Sequence, residues 1–98
     1  MAAKIRPALV ISVPPADEDR ALVTVVPHTT TVRGTRFEAR SSVRFLKAGA
    51  FDIEGILTIP FAKLMRSLGV LPAEQMAAVE MLMIRWLGLP ASKMDSGA

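Results

Sequence analysis

The sequence predicts a mainly β domain closed by one C-terminal helix, and three observations carry that prediction. Short β-rich runs separated by turn residues fill the chain up to Pro60, and after it the apolar spacing changes from two to that of a helix. Residues 73–87 then form an unbroken apolar-periodic stretch between Pro72 and Gly88. A chain of 98 residues has room for one core. One domain is therefore expected over residues 1–89, with 90–98 (PASKMDSGA) as a tail holding a single large apolar side chain.

The elements follow in order. Residues 8–13 (ALVISV) and 21–26 (ALVTVV) are β-rich runs flanking PPADEDR, whose prolines and acids suit an exposed turn, so the two are expected to pair as an antiparallel hairpin. In TRFEAR the period is two: Arg36, Glu38 and Arg40 alternate with Phe37 and Ala39, as in a strand with one wet face. Gly49 and Gly55 read as punctuation between two further short strands near 43–46 and 54–59. FAKLMRSLG places Phe61, Leu64, Met65 and Leu68 at helical spacing, which predicts a short helix ending at Gly69.

The final helix has the clearest boundaries. Pro72 occupies an N1-type position, Glu74 and Gln75 fall in the first turn near the positive end of the macrodipole, and Gly88 is placed to terminate the helix. Two apolar stripes run along it, Met76–Val79–Met83–Trp86 and Ala77–Met81–Ile84. The second stripe is met either by the domain's own core or by an interface with another copy or a partner peptide.

Composition narrows the chemistry. The chain has no cysteine and one histidine, which removes disulfides, thiolate metal sites and a conventional zinc site from consideration, and no cofactor is expected. No apolar run approaches the roughly 20 residues that cross a bilayer, and the N-terminal residues lack an export signal, so a cytoplasmic protein without a membrane partner is expected. Net charge is +3, unevenly spread: residues 1–47 hold eight Lys/Arg against four Asp/Glu, and residues 48–98 hold four against five. A basic N-terminal half favours a polyanionic ligand.

The most polar stretch, VTVVPHTTTVRGTRFEA (23–39), ends an apolar strand in a histidine, three threonines and two arginines around a glycine. In order, RPALVIS (6–12), VVPHTT (25–30), RGTRFEA (33–39), ILTIPFAKLMRSLGVL (56–71) and a terminal RWLGL (85–89) closely resemble the MazF/PemK family of toxin endoribonucleases. The resemblance runs from about Lys4 to Leu89. It implies a small, curved, SH3-like β-barrel of the MazF/PemK/CcdB type, a homodimer, metal-independent and sequence-specific cleavage of single-stranded mRNA, and silencing by a cognate antitoxin. The alternative on the same fold is a non-catalytic interaction module of the antitoxin-binding or gyrase-binding type.

Carried over position by position, the resemblance implies catalytic roles for Arg6 and Thr29. The chemistry suits them: the ribose 2′-hydroxyl is already a nucleophile, a guanidinium fork matches phosphate oxygens, and a hydroxyl adds one further hydrogen bond. A guanidinium is a poor base, so the group that takes the 2′-proton is left unassigned.

Lys4, His28, Thr30, Arg33 and Arg36 complete the expected RNA-binding set, with neutralisation of phosphates as the role of the cations. Arg40 and Arg44 read equally well as solvated positions. For His28, proton transfer, RNA contact and a hydrogen-bonded structural role all stay open; strand alternation puts it opposite in direction to Thr29 unless the strand bends at Pro27. Family members carry an additional strand and a loop ahead of the R-P-A motif. This chain opens almost at the motif, which implies a barrel short of one strand, with an open edge, reduced stability, a tendency to associate and weakened activity.

Overall fold

The computed structural model describes residues 5–89. Lys4 and the tail 90–98 lie outside them. Strand β1 (Ala8–Val10), β2 (Leu22–Thr29), β3 (Glu38–Ser41), β4 (Gly49–Asp52) and β5 (Leu57–Pro60) form one coiled antiparallel sheet, and helix α1 (Ala73–Leu87) closes it. The order across the sheet is β1-β2-β4-β3, with β5 also on β2. Mainly β with one terminal helix is thus the observed class, and the hairpin expected from 8–13 and 21–26 is β1 with β2.

The eight-residue β2 organises everything else. One of its edges pairs with β1, in the register Ala8↔Pro27, Leu9↔Val26, Val10↔Val25. Its other edge serves β5 first, from Leu22↔Pro60 to Val25↔Leu57, and then β4, at His28↔Phe51 and Thr29↔Ala50. Pro27 falls between these partners. The Phe61 N–H donates to the Ala21 carbonyl at 2.9 Å, so odd-numbered residues of this strand bond towards β5. The nitrogen that carries no hydrogen therefore faces the gap where β5 has ended and β4 has not begun, which is how a central strand accommodates a proline.

The core lies between the coiled sheet and α1. Val26, Phe37, Ala39, Phe51, Ile53 and Val79 form one buried cluster, with Leu9, Ile11, Leu46, Ile56, Leu71, Leu82 and Met83 packed around it. Trp86 meets the ring of Phe37 edge-on at 5.0 Å. The stripe containing Val79, Met83 and Trp86 is thus the inward one, whereas Met81 (57% exposed) and Ile84 (50%) face outward. Helix α1 stops as expected: Gly88 has φ +66°, its N–H reaches the carbonyls of Ile84 and Arg85, and the Leu89 N–H bonds to Ile84 at 3.0 Å. That is the left-handed glycine termination. Pro72 sits one position earlier than expected, as the residue before the helix, and its carbonyl takes the Met76 N–H at 2.9 Å.

Two local expectations are corrected. Residues 43–46 form a turn, not a strand, and the strand is Gly49–Asp52. Gly49 is in the sheet because the neighbouring chain passes too close for a side chain: a Cβ there would collide with the Thr29 carbonyl and lie 3.0 Å from His28 Cε1. The region 54–59 is divided between a 3-10 turn, Ile53–Gly55, and β5.

The short helix expected over 61–68 is also absent. Only a 3-10 turn forms at Phe61–Lys63, and Leu64 is already extended at φ −71°, ψ 130°. So short a segment cannot offset the cost of helix nucleation without a packed face, and its apolar residues are all exposed. Instead they line a groove of about 630 Å³ with Ala8, Leu9 and Val10 on one side and Phe45, Leu68 and Val70 among its other walls.

Candidate active site

The site is built where β2 ends. The His28 N–H donates to the Pro7 carbonyl at 3.0 Å, continuing the β1–β2 ladder one residue beyond Ala8. One step further, the same register sets Arg6 opposite Thr29. Pro7 with His28 is a hydrogen-bonded pair, so a ladder carried one residue further would make Arg6 and Thr29 a non-hydrogen-bonded pair with side chains on one face. Arg6 is exposed and Thr29 half-buried. The structure therefore puts Arg6, two residues ahead of β1, at the same end of the β1–β2 pair as Thr29.

The Thr29 hydroxyl is already oriented. Its oxygen accepts the Thr31 N–H at 3.0 Å, closing a small turn, and its distance to the Thr31 carbonyl is a long 3.4 Å. The O–H donates to that carbonyl, and because the bond is long an anionic oxygen placed closer is the better acceptor for it.

His28 is elsewhere. It points to the opposite face, is 4% exposed, and its Nε2 lies 2.7 Å from Ser41 Oγ. Phe51 meets the ring edge-on at 5.2 Å. Phe51 and Gly49 share that inner face of β4, and Gly49 has no side chain, so the imidazole crosses the strand there to reach β3. Burial holds its pKa below the usual histidine range, favouring the neutral ring. Contact with RNA is thereby corrected: His28 is a hydrogen-bonded core residue, because the strand runs straight through Pro27 and keeps its alternation.

The arginine loop lies between β2 and β3. Glu38 clamps it: one carboxylate oxygen accepts the Arg33 N–H at 3.0 Å and the other accepts the Thr35 N–H at 2.7 Å. These backbone bonds, first that from Arg33 and then that from Thr35, hold the Glu38 carboxyl below the usual range. Gly34, at φ +78°, makes the turn that aims both amides at one carboxylate. Arg36 stacks over the Phe37 ring with Cζ 4.6 Å from its centroid. Arg33, Arg36 and Thr30 are all exposed. The sequence reading missed Glu38, although the T-x-x-E spacing of Thr35 and Glu38 signals a carboxylate folding back on preceding amides.

The geometry defines a class first: a small coiled sheet under one helix, with an arginine and a threonine at the same end of a strand pair and further arginines on the loop that follows. Family comparison makes it specific. The chain belongs to the family of PemK-like, MazF-like toxins of type II toxin–antitoxin systems, whose model matches residues 2–87.

Among solved structures it is similar to the Mycobacterium tuberculosis toxin MazF-mt6, at 28% identity over 87% of this chain and 88% of that one, with a TM-score of 0.73. It is also similar to an endoribonuclease in complex with its cognate antitoxin from a mycobacterial species, at 26% identity over 87% and 82% with a TM-score of 0.75. The third is the Deinococcus radiodurans MazE-MazF structure, form III, at 25% identity over 87% of both chains with a TM-score of 0.73. A comparison with curated protein sequences gives no match. Among the described residues no helix is long and apolar enough to cross a membrane.

Proposed function

We propose that this chain is the toxin of a type II toxin–antitoxin pair and acts as a sequence-specific endoribonuclease on single-stranded mRNA, without a metal ion. The observation that supports it best is the β1–β2 register, which, carried on past the His28–Pro7 hydrogen bond, puts Arg6 beside Thr29. In the reaction the ribose 2′-oxygen attacks phosphorus, the bond from phosphorus to the 5′-oxygen breaks, the 2′-proton is given up and the departing oxygen gains one. The products are a 2′,3′-cyclic phosphate and a 5′-hydroxyl. Arg6 stabilises the charge gathering on the phosphoryl oxygens, and the Thr29 hydroxyl donates to one of them. Arg33 and Arg36 neutralise neighbouring phosphates.

Two apolar surfaces fit the partners this reading requires. The outward stripe of α1, containing Met81 and Ile84, is suited to a homodimer contact, and the groove beside β1 to the antitoxin. The test is incubation with single-stranded RNA in EDTA, beside Arg6→Ala and Thr29→Ala variants. Cleavage by the parent, with losses of roughly 10²-fold or more in each variant, is the expected result. Intact RNA throughout would leave a non-catalytic binding module.

A further inference from the structure

We propose that Arg40 is a second guanidinium of the same anion site, gripping the RNA backbone on the side of Thr29 away from Arg6. The inference rests on the nuclease reading above and adds to it a residue for which the sequence left phosphate contact and a solvated position equally open.

The argument follows from register. Thr29 pairs with Ala50 across β2–β4, and Ala50 pairs with Arg40 across β4–β3. The row across three strands reads Thr29, Ala50, Arg40, and the β1–β2 register carried on past Pro7 adds Arg6 on the far side of Thr29. Residues paired in this way project from one face of a sheet. Burial agrees: Ala39 and Ser41, on either side of Arg40, are buried on the inner face while Arg40 itself is exposed, and His28, beside Thr29, is likewise buried. Between Thr29 and Arg40 stands only Ala50. Its side chain is a single methyl group, too short to stand between the hydroxyl and the guanidinium.

Adjacent strands are about 4.8 Å apart, so Arg6 stands one strand spacing and Arg40 two, roughly 10 Å, from Thr29. Two long cationic side chains therefore flank the hydroxyl from opposite sides on a common surface. A phosphodiester chain laid across that row meets Arg6 at the bond to be cut and Arg40 at the backbone next to it. Arg40 is a binding residue in this arrangement, and its guanidinium fork is suited to two phosphate oxygens at once.

Arg40→Ala, Arg40→Lys and Arg44→Ala test this. Both sites are exposed, so the fold is not at risk. Binding is measured with an RNA in which every 2′-hydroxyl is methylated, which cannot be cut, and cleavage is measured separately with ordinary RNA. Arg40→Ala is expected to weaken binding about fivefold or more and to lower the slope of log affinity against log salt by about 0.7, the value of one single-strand phosphate contact. Arg40→Lys should restore the salt slope but only part of the affinity. Arg44→Ala, on the turn after β3, should match the parent.

Binding by Arg40→Ala within twofold of the parent, at an unchanged salt slope, overturns the proposal. Equal losses in Arg40→Ala and Arg44→Ala do so too, since they would show a general charge effect. If the parent binds the methylated RNA but cuts no ordinary RNA, the nuclease reading fails while the Arg40 result still stands or falls on binding. If the parent binds no RNA, both are overturned.

Discussion

Gly49→Ala is the most revealing single substitution, because one added methyl group acts on the sheet and on the site together. A Cβ at this position collides with the Thr29 carbonyl and comes within 3.0 Å of His28 Cε1. The first contact is to backbone, which cannot rotate away, so β4 must separate from the end of β2. Overpacking of this kind costs about 1–3 kcal/mol, and loosening the short His28↔Phe51 and Thr29↔Ala50 ladder adds about 1 kcal/mol per hydrogen bond lost. The sum is about 3–5 kcal/mol, against a total of about 5–15 kcal/mol for a small domain.

For a chain of this size each kcal/mol lowers the midpoint by about 4–8 °C, so thermal unfolding followed by circular dichroism should show a fall of at least about 12 °C. Gly34→Ala is the control. Its Cβ would meet nothing within 4 Å, and only the positive φ of +78° opposes it, at about 1–2 kcal/mol. A Gly49→Ala midpoint within about 4 °C of the parent, or a larger effect at Gly34 than at Gly49, would show that the close approach of β4 to β2 is misread.

Other expectations concern Glu38, His28 and Phe37. Glu38→Gln keeps one acceptor oxygen for two amides, so hydrogen exchange at the Arg33 and Thr35 N–H groups should rise while exchange in α1 stays the same. In the parent the depressed Glu38 carboxyl contributes its clamp fully above its ordinary value of 4.5, and the clamp is lost as pH falls through the lower folded value, a loss that the same exchange measurement should detect. His28 follows the same sign. Its folded pKa lies below 6.5, so the unfolded chain takes up the proton first and stability falls as pH drops below 6.5; in a His28→Gln variant the midpoint should change less between pH 7 and pH 5. Phe37→Ala removes the ring held between Trp86 and Arg36 and should cost about 3–5 kcal/mol by urea unfolding.

What the sequence made legible divides along physical lines. Helix α1 could be read to the residue because its boundary chemistry is local: Pro72, the first-turn acid and Gly88 each act within a turn of where they stand. The alternation Phe37-in, Arg36-out and Ala39-in, Arg40-out was legible for the same reason. Gly49 was misread as a break because its role depends on Thr29, twenty residues away in sequence, and closeness between strands leaves no mark in local composition. The stretch 61–68 has helical spacing without a helix, since the same spacing serves a segment that lines a groove.

At the site, the resemblance supplied Arg6 and Thr29, and the register of β1 on β2 runs towards both. Arg40 could not be found in this way. Its place beside Thr29 exists only because β4 inserts between β2 and β3, so that a residue on one side of Ala50 meets a residue eleven positions earlier on the other.

The apolar trough beside β1 and the outward side of α1 together bear on how the protein can be handled. Val70 at 87% and Met65 at 74% exposure sit in that trough, side by side with β1, the end strand of the sheet among the described residues. Purified alone and concentrated, such a chain is expected to stick to columns and to itself before it unfolds. Co-expression with whatever covers these surfaces is the practical route to material for crystallography or spectroscopy.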